Sequence, residues 1–178
     1  MKFEPTPLSG AYIISLEPRV DDRGAFARTF CAREFRAAGL ATDFVQANMS
    51  LSPRPGTLRG MHYQRGAAAE DKLVRVADGR ILDVIIDLRE ESPSFGHHFK
   101  IELAADNDLM LYVPRGCAHG FLTLAADCQV VYQVSSFYSP EAEAGVRWDD
   151  PFFAIDWPVQ VPILSARDAS FPDFRGVE

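Results

Sequence analysis

From residue 44 to residue 134 the chain is a succession of short apolar runs, cut at close intervals by turn residues. The runs occupy residues 44–48, 58–63, 73–76, 81–88, 99–103, 109–113, 120–124 and 130–134. The cuts carry Pro53-Arg54-Pro55-Gly56, Asp78-Gly79, Asp106-Asn107 and Pro114-Arg115-Gly116. Many short strands at this spacing predict an all-β sandwich or barrel. Asp78-Gly79 between two apolar runs is a strong hairpin signal. Upstream, residues 11–16 read as a first strand, Asp21-Asp22-Arg23-Gly24 as a turn and residues 26–30 as a short strand. Residues 31–40 are the best helix candidate, alanine-rich with Gly39 as a C-cap. The segment 157–178, with several prolines and aromatics, is expected to lie over the barrel as irregular structure and short turns. No internal repeat or linker interrupts the pattern, so a single domain over 1–178 is expected, with its core at about 10–150 and a tail at about 151–178.

With 47% hydrophobic residues among 178, the chain can bury a sizeable core. Its net charge of −7 argues against general binding to nucleic acid or anionic membranes. An anionic ligand would need a local basic pocket. Cys31, Cys117 and Cys128 are odd in number and lack metal-ligand spacing, as expected of idle thiols in a reducing compartment. No apolar leader or membrane-length segment is evident, so a soluble cytoplasmic protein is expected.

The chemistry concentrates in Leu58-Arg59-Gly60-Met61-His62-Tyr63-Gln64. On a strand, His62 should share a face with Gly60 and Gln64, and on a barrel one face is the interior. Histidine is the side chain best suited to moving protons near neutral pH. Arg59 offers a guanidinium for an anion. A second segment, Pro114-Arg115-Gly116-Cys117-Ala118-His119-Gly120, has the spacing of the second motif of the cupin superfamily, small jelly-roll β-barrels. In metal-binding cupins a His-x-His pair completes the site. Here that slot reads His62-Tyr63-Gln64, so no metal is expected.

Lys72 opens one apolar run and Asp83 interrupts another. Lys72 is either a solvated strand end or a functional cation, and Asp83 an internal hydrogen-bond anchor or a site group. Tyr132 is either core or a phenol aimed into a pocket. Arg167-Asp168 is a surface pair, unless Asp168 folds back to orient His62.

Taken together, Asp22-Arg23-Gly24, Gln46-Ala47-Asn48-Met49-Ser50, Leu58–Gln64, residues 72–76 and 114–121, Tyr132, Tyr138 and residues 164–168 resemble the dTDP-4-dehydrorhamnose 3,5-epimerase family, in order and over almost the whole chain. The resemblance implies a cupin-type jelly roll with one or a few short helices. It implies a homodimer that uses no metal or organic cofactor and takes a nucleotide-linked 4-keto sugar, a dTDP-sugar above all. It further implies His62 as base with Asp168 orienting it, Tyr132 as acid, and Lys72 as the cation that stabilises an enolate. His119 would line the pocket and Arg59 would contact the diphosphate. Gln46, Asn48 and Tyr138 would contact nucleotide or diphosphate, with Arg167 in place of a usual lysine. Arg23 and Phe26 would reach into the neighbouring subunit's site. Arg28 stands where glutamate is common, and Cys117 where phenylalanine is. A single-centre epimerase on another nucleotide sugar, a metal-dependent cupin enzyme and a non-catalytic sugar-nucleotide-binding module are the competing readings. Whether Asp168 or Asp83 partners His62 stays open at this level.

Overall fold

The structure, a computed structural model, describes residues 1–176. Strands β1 (Lys2–Pro5), β2 (Tyr12–Ser15), β3 (Arg19–Asp21) and β4 (Gly24–Phe26) precede a short helix, α1 (Ala32–Ala37). Then come β5 (Gln46–Ser52), β6 (Leu58–Gln64), β7 (Lys72–Asp78), β8 (Arg80–Asp87), β9 (His98–Ala104), β10 (Leu109–Val113), β11 (Cys117–Thr123), β12 (Cys128–Val134) and β13 (Glu143–Gly145). Among the described residues they form a six-stranded sheet, β1-β2-β10-β7-β12-β5, and a five-stranded sheet, β13-β6-β11-β8-β9, with β3-β4 as a separate hairpin. Every strand pairing is antiparallel. This is the all-β architecture that the runs and turns predict, in the jelly-roll form that the resemblance implies.

Alternation along each strand sorts the core into layers. Val74, Val76, Leu111, Val113 and Val130 of the larger sheet meet Ile81, Ile85, Leu103, Cys117 and Phe121 of the smaller one. β8 is covered on its other face too. Val84 and Ile86 join Leu58, Met61, Ala118 and Leu122 beneath Val146, Phe153 and Trp157. Burial on both faces explains why residues 81–88 read as one nearly continuous apolar run. The outer face of the larger sheet is capped by α1, whose Phe35 is fully buried over Ile14, Leu73, Met110 and Tyr112. No helix among the described residues is long and apolar enough to cross a membrane.

Several boundaries differ from expectation. β1 has no counterpart in the sequence reading, because an exposed edge strand carries little apolar pattern. The strand expected at 26–30 lies instead at Gly24–Phe26, where it pairs with β3 across the Asp21–Gly24 turn. The Asp21 carboxylate accepts from the Arg23 backbone N–H at 2.9 Å and so tightens that turn. The helix is shorter than 31–40 and ends before Gly39, which takes φ 75° as a C-cap should. β5 starts two residues late and runs on through Met49-Ser50-Leu51 to Ser52, held by its register against β12. β11 begins at Cys117, which places His119 inside a strand. The tail is irregular apart from a parallel bridge, Thr57 to Ile163, and a 3-10 turn at Asp168–Ser170. Val177 and Glu178, the end of the expected tail, lie outside the described residues.

The detail that shapes the site is a bulge in β6. His62 lies opposite His119, whereas Arg59 lies opposite Phe121, so three steps on β6 match two on β11. Strict alternation would turn Arg59 and His62 to opposite faces. With the extra residue both line one cavity, while Leu58 and Met61 both join the outer core cluster. Gly60 absorbs the extra step at φ 138°, and a Cβ there would sit 2.5 Å from the Gly120 Cα. Gly60→Ala is therefore expected to lower stability by about 2 kcal/mol or more, read as a drop in the urea midpoint at unchanged m.

Candidate active site

Between the two sheets lies a cavity of about 560 Å³. β6 and β11 of one sheet supply Arg59, His62 and His119; β5, β7 and β12 of the other supply Gln46, Asn48, Lys72 and Tyr132. The chain before β7 adds Glu70, β13 adds Glu143, and the tail adds Arg167 and Asp168. His62 and Tyr132 thus face a shared space from opposite walls.

His62 Nε2 lies 2.7 Å from Asp168 Oδ1. The other Asp168 oxygen accepts the Gly60 backbone N–H at 3.3 Å, and the Asp168 backbone N–H donates to Ser165 Oγ at 3.0 Å. Burial acts to raise the Asp168 pKa, but the hydrogen bond and charge of His62, the Gly60 N–H and the Ser165 hydroxyl outweigh it. The carboxyl is held below the usual carboxylate range. An ionised Asp168 accepts a proton bond from Nε2–H, which leaves Nδ1 with the ring's lone pair. Phe171, three residues on, sets its ring 6.0 Å from the imidazole at an interplanar angle of 67°. Gly145, paired with His62 in register, leaves room for that ring; a Cβ there would lie 2.2 Å from Phe171 Cζ.

Asp83 serves the other histidine. It is fully buried on β8, and its Oδ1 lies 2.7 Å from His119 Nε2. The choice that the sequence left open falls to Asp168 as the partner of His62.

Lys72 is buried rather than a solvated strand end. Its Nζ lies 3.2 Å from Glu70 Oε1 and 3.4 Å from the His62 carbonyl oxygen. Tyr132 is half-buried. Burial, joined by the nearby Glu70 and Glu143 charges and opposed by Arg59, pushes its phenol pKa up. It therefore keeps its proton throughout the neutral range.

Arg59 is held by neutral groups: its Nε donates to Ser52 Oγ at 3.1 Å and its terminal N–H to the Leu51 carbonyl at 3.1 Å. Among the described residues no carboxylate lies within ion-pair distance of it, so its charge is available to a ligand. This supplies the local basic pocket that an acidic chain needs to hold an anion. At the rim, Tyr138 Oη donates to Glu143 Oε2 at 2.6 Å, Arg167 pairs with the same carboxylate at 2.7 Å, and the Tyr138 backbone N–H donates to Gln46 Oε1 at 2.7 Å.

Arg23 and Phe26 are not brought to this cavity. Both sit on the β3-β4 hairpin, Arg23 paired with its own neighbour Asp21 and 89% exposed, Phe26 69% exposed. Arg28 lies 3.6 Å from Glu34, also outside the cavity. Cys117 is buried in the core, its thiol pushed up to about 12 by burial. Among the described residues no three His, Cys, Asp or Glu side chains gather as a metal site. Sequence reasoning missed Glu70 and Glu143. Glu70 stands two residues before Lys72 and so shares its side of an extended chain, a usable signal. Glu143 lies on a three-residue strand that no periodicity reveals.

The depressed Asp168 contributes stability that is full above its unfolded pKa of about 3.9 and is lost as pH falls through the lower folded value. Urea midpoints of wild type and Asp168→Asn are expected to differ at neutral pH and to converge below about pH 4.

Comparisons with known proteins agree with one another. The family model described as dTDP-4-dehydrorhamnose 3,5-epimerase matches residues 5–176. A relative of that name from Methanothermobacter thermautotrophicus is 42% identical over 177 residues, covering 98% of this chain and 95% of its own. The crystal structure of dTDP-4-dehydrorhamnose 3,5-epimerase from Elizabethkingia anophelis superimposes with a TM-score of 0.94 at 42% identity, covering 98% of this chain and 96% of that one. The enzyme of the same name from Bacillus anthracis, solved with TDP and PPi bound, gives a TM-score of 0.94 at 40% identity over 97% of this chain and 99% of its own.

Proposed function

The chain belongs to the dTDP-4-dehydrorhamnose 3,5-epimerase family, and we propose on that footing that it inverts C3 and C5 of a dTDP-linked 4-keto-6-deoxy sugar. The chemistry follows from the ketone. Hydrogens on C3 and C5 are α to the C4 carbonyl, so either can leave as a proton when the electron pair moves onto the carbonyl oxygen. His62, through Nδ1, takes the proton from one face. Asp168 holds the ring and offsets the charge of the imidazolium that forms. The Lys72 ammonium stabilises the oxyanion of the enolate. Tyr132 returns a proton to the opposite face of the same carbon, which inverts it. Repetition at the second carbon completes the double epimerisation.

The observation that carries this reading is the opposition of a carboxylate-held imidazole and a protonated phenol across one cavity, with a buried ammonium in the same wall as the phenol. Arg59 takes the diphosphate. Gln46, Asn48 and Tyr138 take the nucleotide side, with His119 and Arg167 completing the surround. The TDP and PPi bound to the Bacillus anthracis relative support a nucleotide diphosphate as the anchor. The chain acts as a single domain in the cytoplasm. It works as a homodimer in which Arg23 and Phe26 complete the partner's site, a role that fits the exposure of Val20 and Phe26 on a projecting hairpin.

Incubation with dTDP-4-keto-6-deoxyglucose in D₂O tests the reading. Deuterium is expected at both C3 and C5; at one carbon only, the enzyme is a single-centre epimerase; at neither, the reading fails. His62→Ala should abolish incorporation at both carbons. Tyr132→Phe should let deuterium enter without inversion, because His62 alone can only return a proton to the face it came from. Lys72→Met should lower kcat by about 10²–10³.

A further inference from the structure

We propose that Glu70 is a positioning residue for this reaction, fixing the Lys72 ammonium where the enolate oxygen develops. The inference rests on the epimerase reading above and adds to it a residue that neither the motifs nor the acid-base pair implicates. A lysine carries its charge on a flexible four-carbon stem, so a buried ammonium at the mouth of a strand needs something to hold it. Lys72 has one charged partner among the described residues, Glu70 Oε1 at 3.2 Å, and both side chains are about nine-tenths buried.

Glu70 is itself held at its other end. Its Oε2 accepts from the Gln64 amide nitrogen. Gln64 is locked in turn: the two hydrogens of Nε2 are shared among Glu70 and the carbonyls of Ala68 at 3.1 Å and Phe137 at 3.2 Å, and Oε1 accepts the Ser139 N–H at 2.7 Å. The backbone between Glu70 and Lys72 is pinned by Asp71, which points the other way. Its N–H donates to Ser135 Oγ at 2.8 Å, and its carboxylate accepts from Tyr112 Oη at 2.8 Å and from Arg115 at 2.7 Å. A rigid amide therefore fixes a carboxylate, and the carboxylate fixes the cation. Gln64 is two residues from His62 on β6, so one strand sets the place of both the base and the charge that receives the electrons.

A double-mutant cycle on the full chain tests this, with kcat and KM measured for Glu70→Gln, Lys72→Met and the double variant. Glu70→Gln is expected to lower kcat about tenfold or more with KM within about twofold, measured well below the melting temperature of the variant. The double variant should be no slower than Lys72→Met alone, because Glu70 acts through that ammonium. If Glu70→Gln does not fold, Glu70→Asp, which keeps the charge and shortens its reach, should show the same loss in kcat only. The proposal is overturned if Glu70→Gln leaves kcat unchanged, if its loss appears chiefly in KM, or if the two losses multiply. Failure of wild-type deuterium incorporation would instead sink the epimerase reading, so the two failures are distinguishable.

Discussion

Charges taken out of water must be met by partners, and this requirement organises the cavity. His62 has Asp168, His119 has Asp83 and Lys72 has Glu70, and at the more exposed rim Arg167 pairs with Glu143. Each pair after removal of one member would leave an uncompensated group in a partly dry space, which is costlier than the pair is stabilising. Arg59, which keeps contact with solvent, has among the described residues no carboxylate and is held by a hydroxyl and a carbonyl. A cation without a carboxylate, in a wall otherwise balanced, is what an anionic ligand completes.

The two-sheet architecture supplies the geometry that the chemistry requires. Inversion at carbon needs a base and an acid on opposite sides of a flat intermediate. Two sheets packed face to face offer two walls, and the inward alternation of β6 and β12 puts an imidazole on one and a phenol on the other. The proposed removal and return of a proton then take no large movement of either wall.

Much of this was legible in the sequence. Strands buried on both faces, such as β8, announce themselves as unbroken apolar runs, and Asp78-Gly79 marks its hairpin. The edge strands β1 and β13 were not legible, because partial exposure and short length leave no pattern. Nor was the second half of β5, Met49-Ser50-Leu51-Ser52, whose two apolar side chains are exposed and which is held by its pairing with β12. Arg59 and His62 share a cavity only because of the bulge at Gly60, and alternation alone points them apart. The choice between Asp168 and Asp83 for His62 depends on contacts across 106 positions of chain, beyond any local signal. The motif resemblance pointed to Asp168; distance made the assignment. Glu143 was missed for the same reason, since its partners Tyr138 and Arg167 are assembled by the fold, whereas Glu70 stands only two residues from Lys72 and was within reach of local reading.

The docking of the tail onto β6 has a consequence for how the protein comes into being. During synthesis the strands through β12 can emerge from the ribosome and close on one another while the segment bearing Asp168 and Phe171 is still being made. The barrel would then hold an imidazole with nothing to orient it. Only when the segment from Ile163 onward bridges to Thr57 and seats the Asp168 carboxylate beside His62 is the imidazole held, so the cavity is completed by chain made after all the strands that wall it.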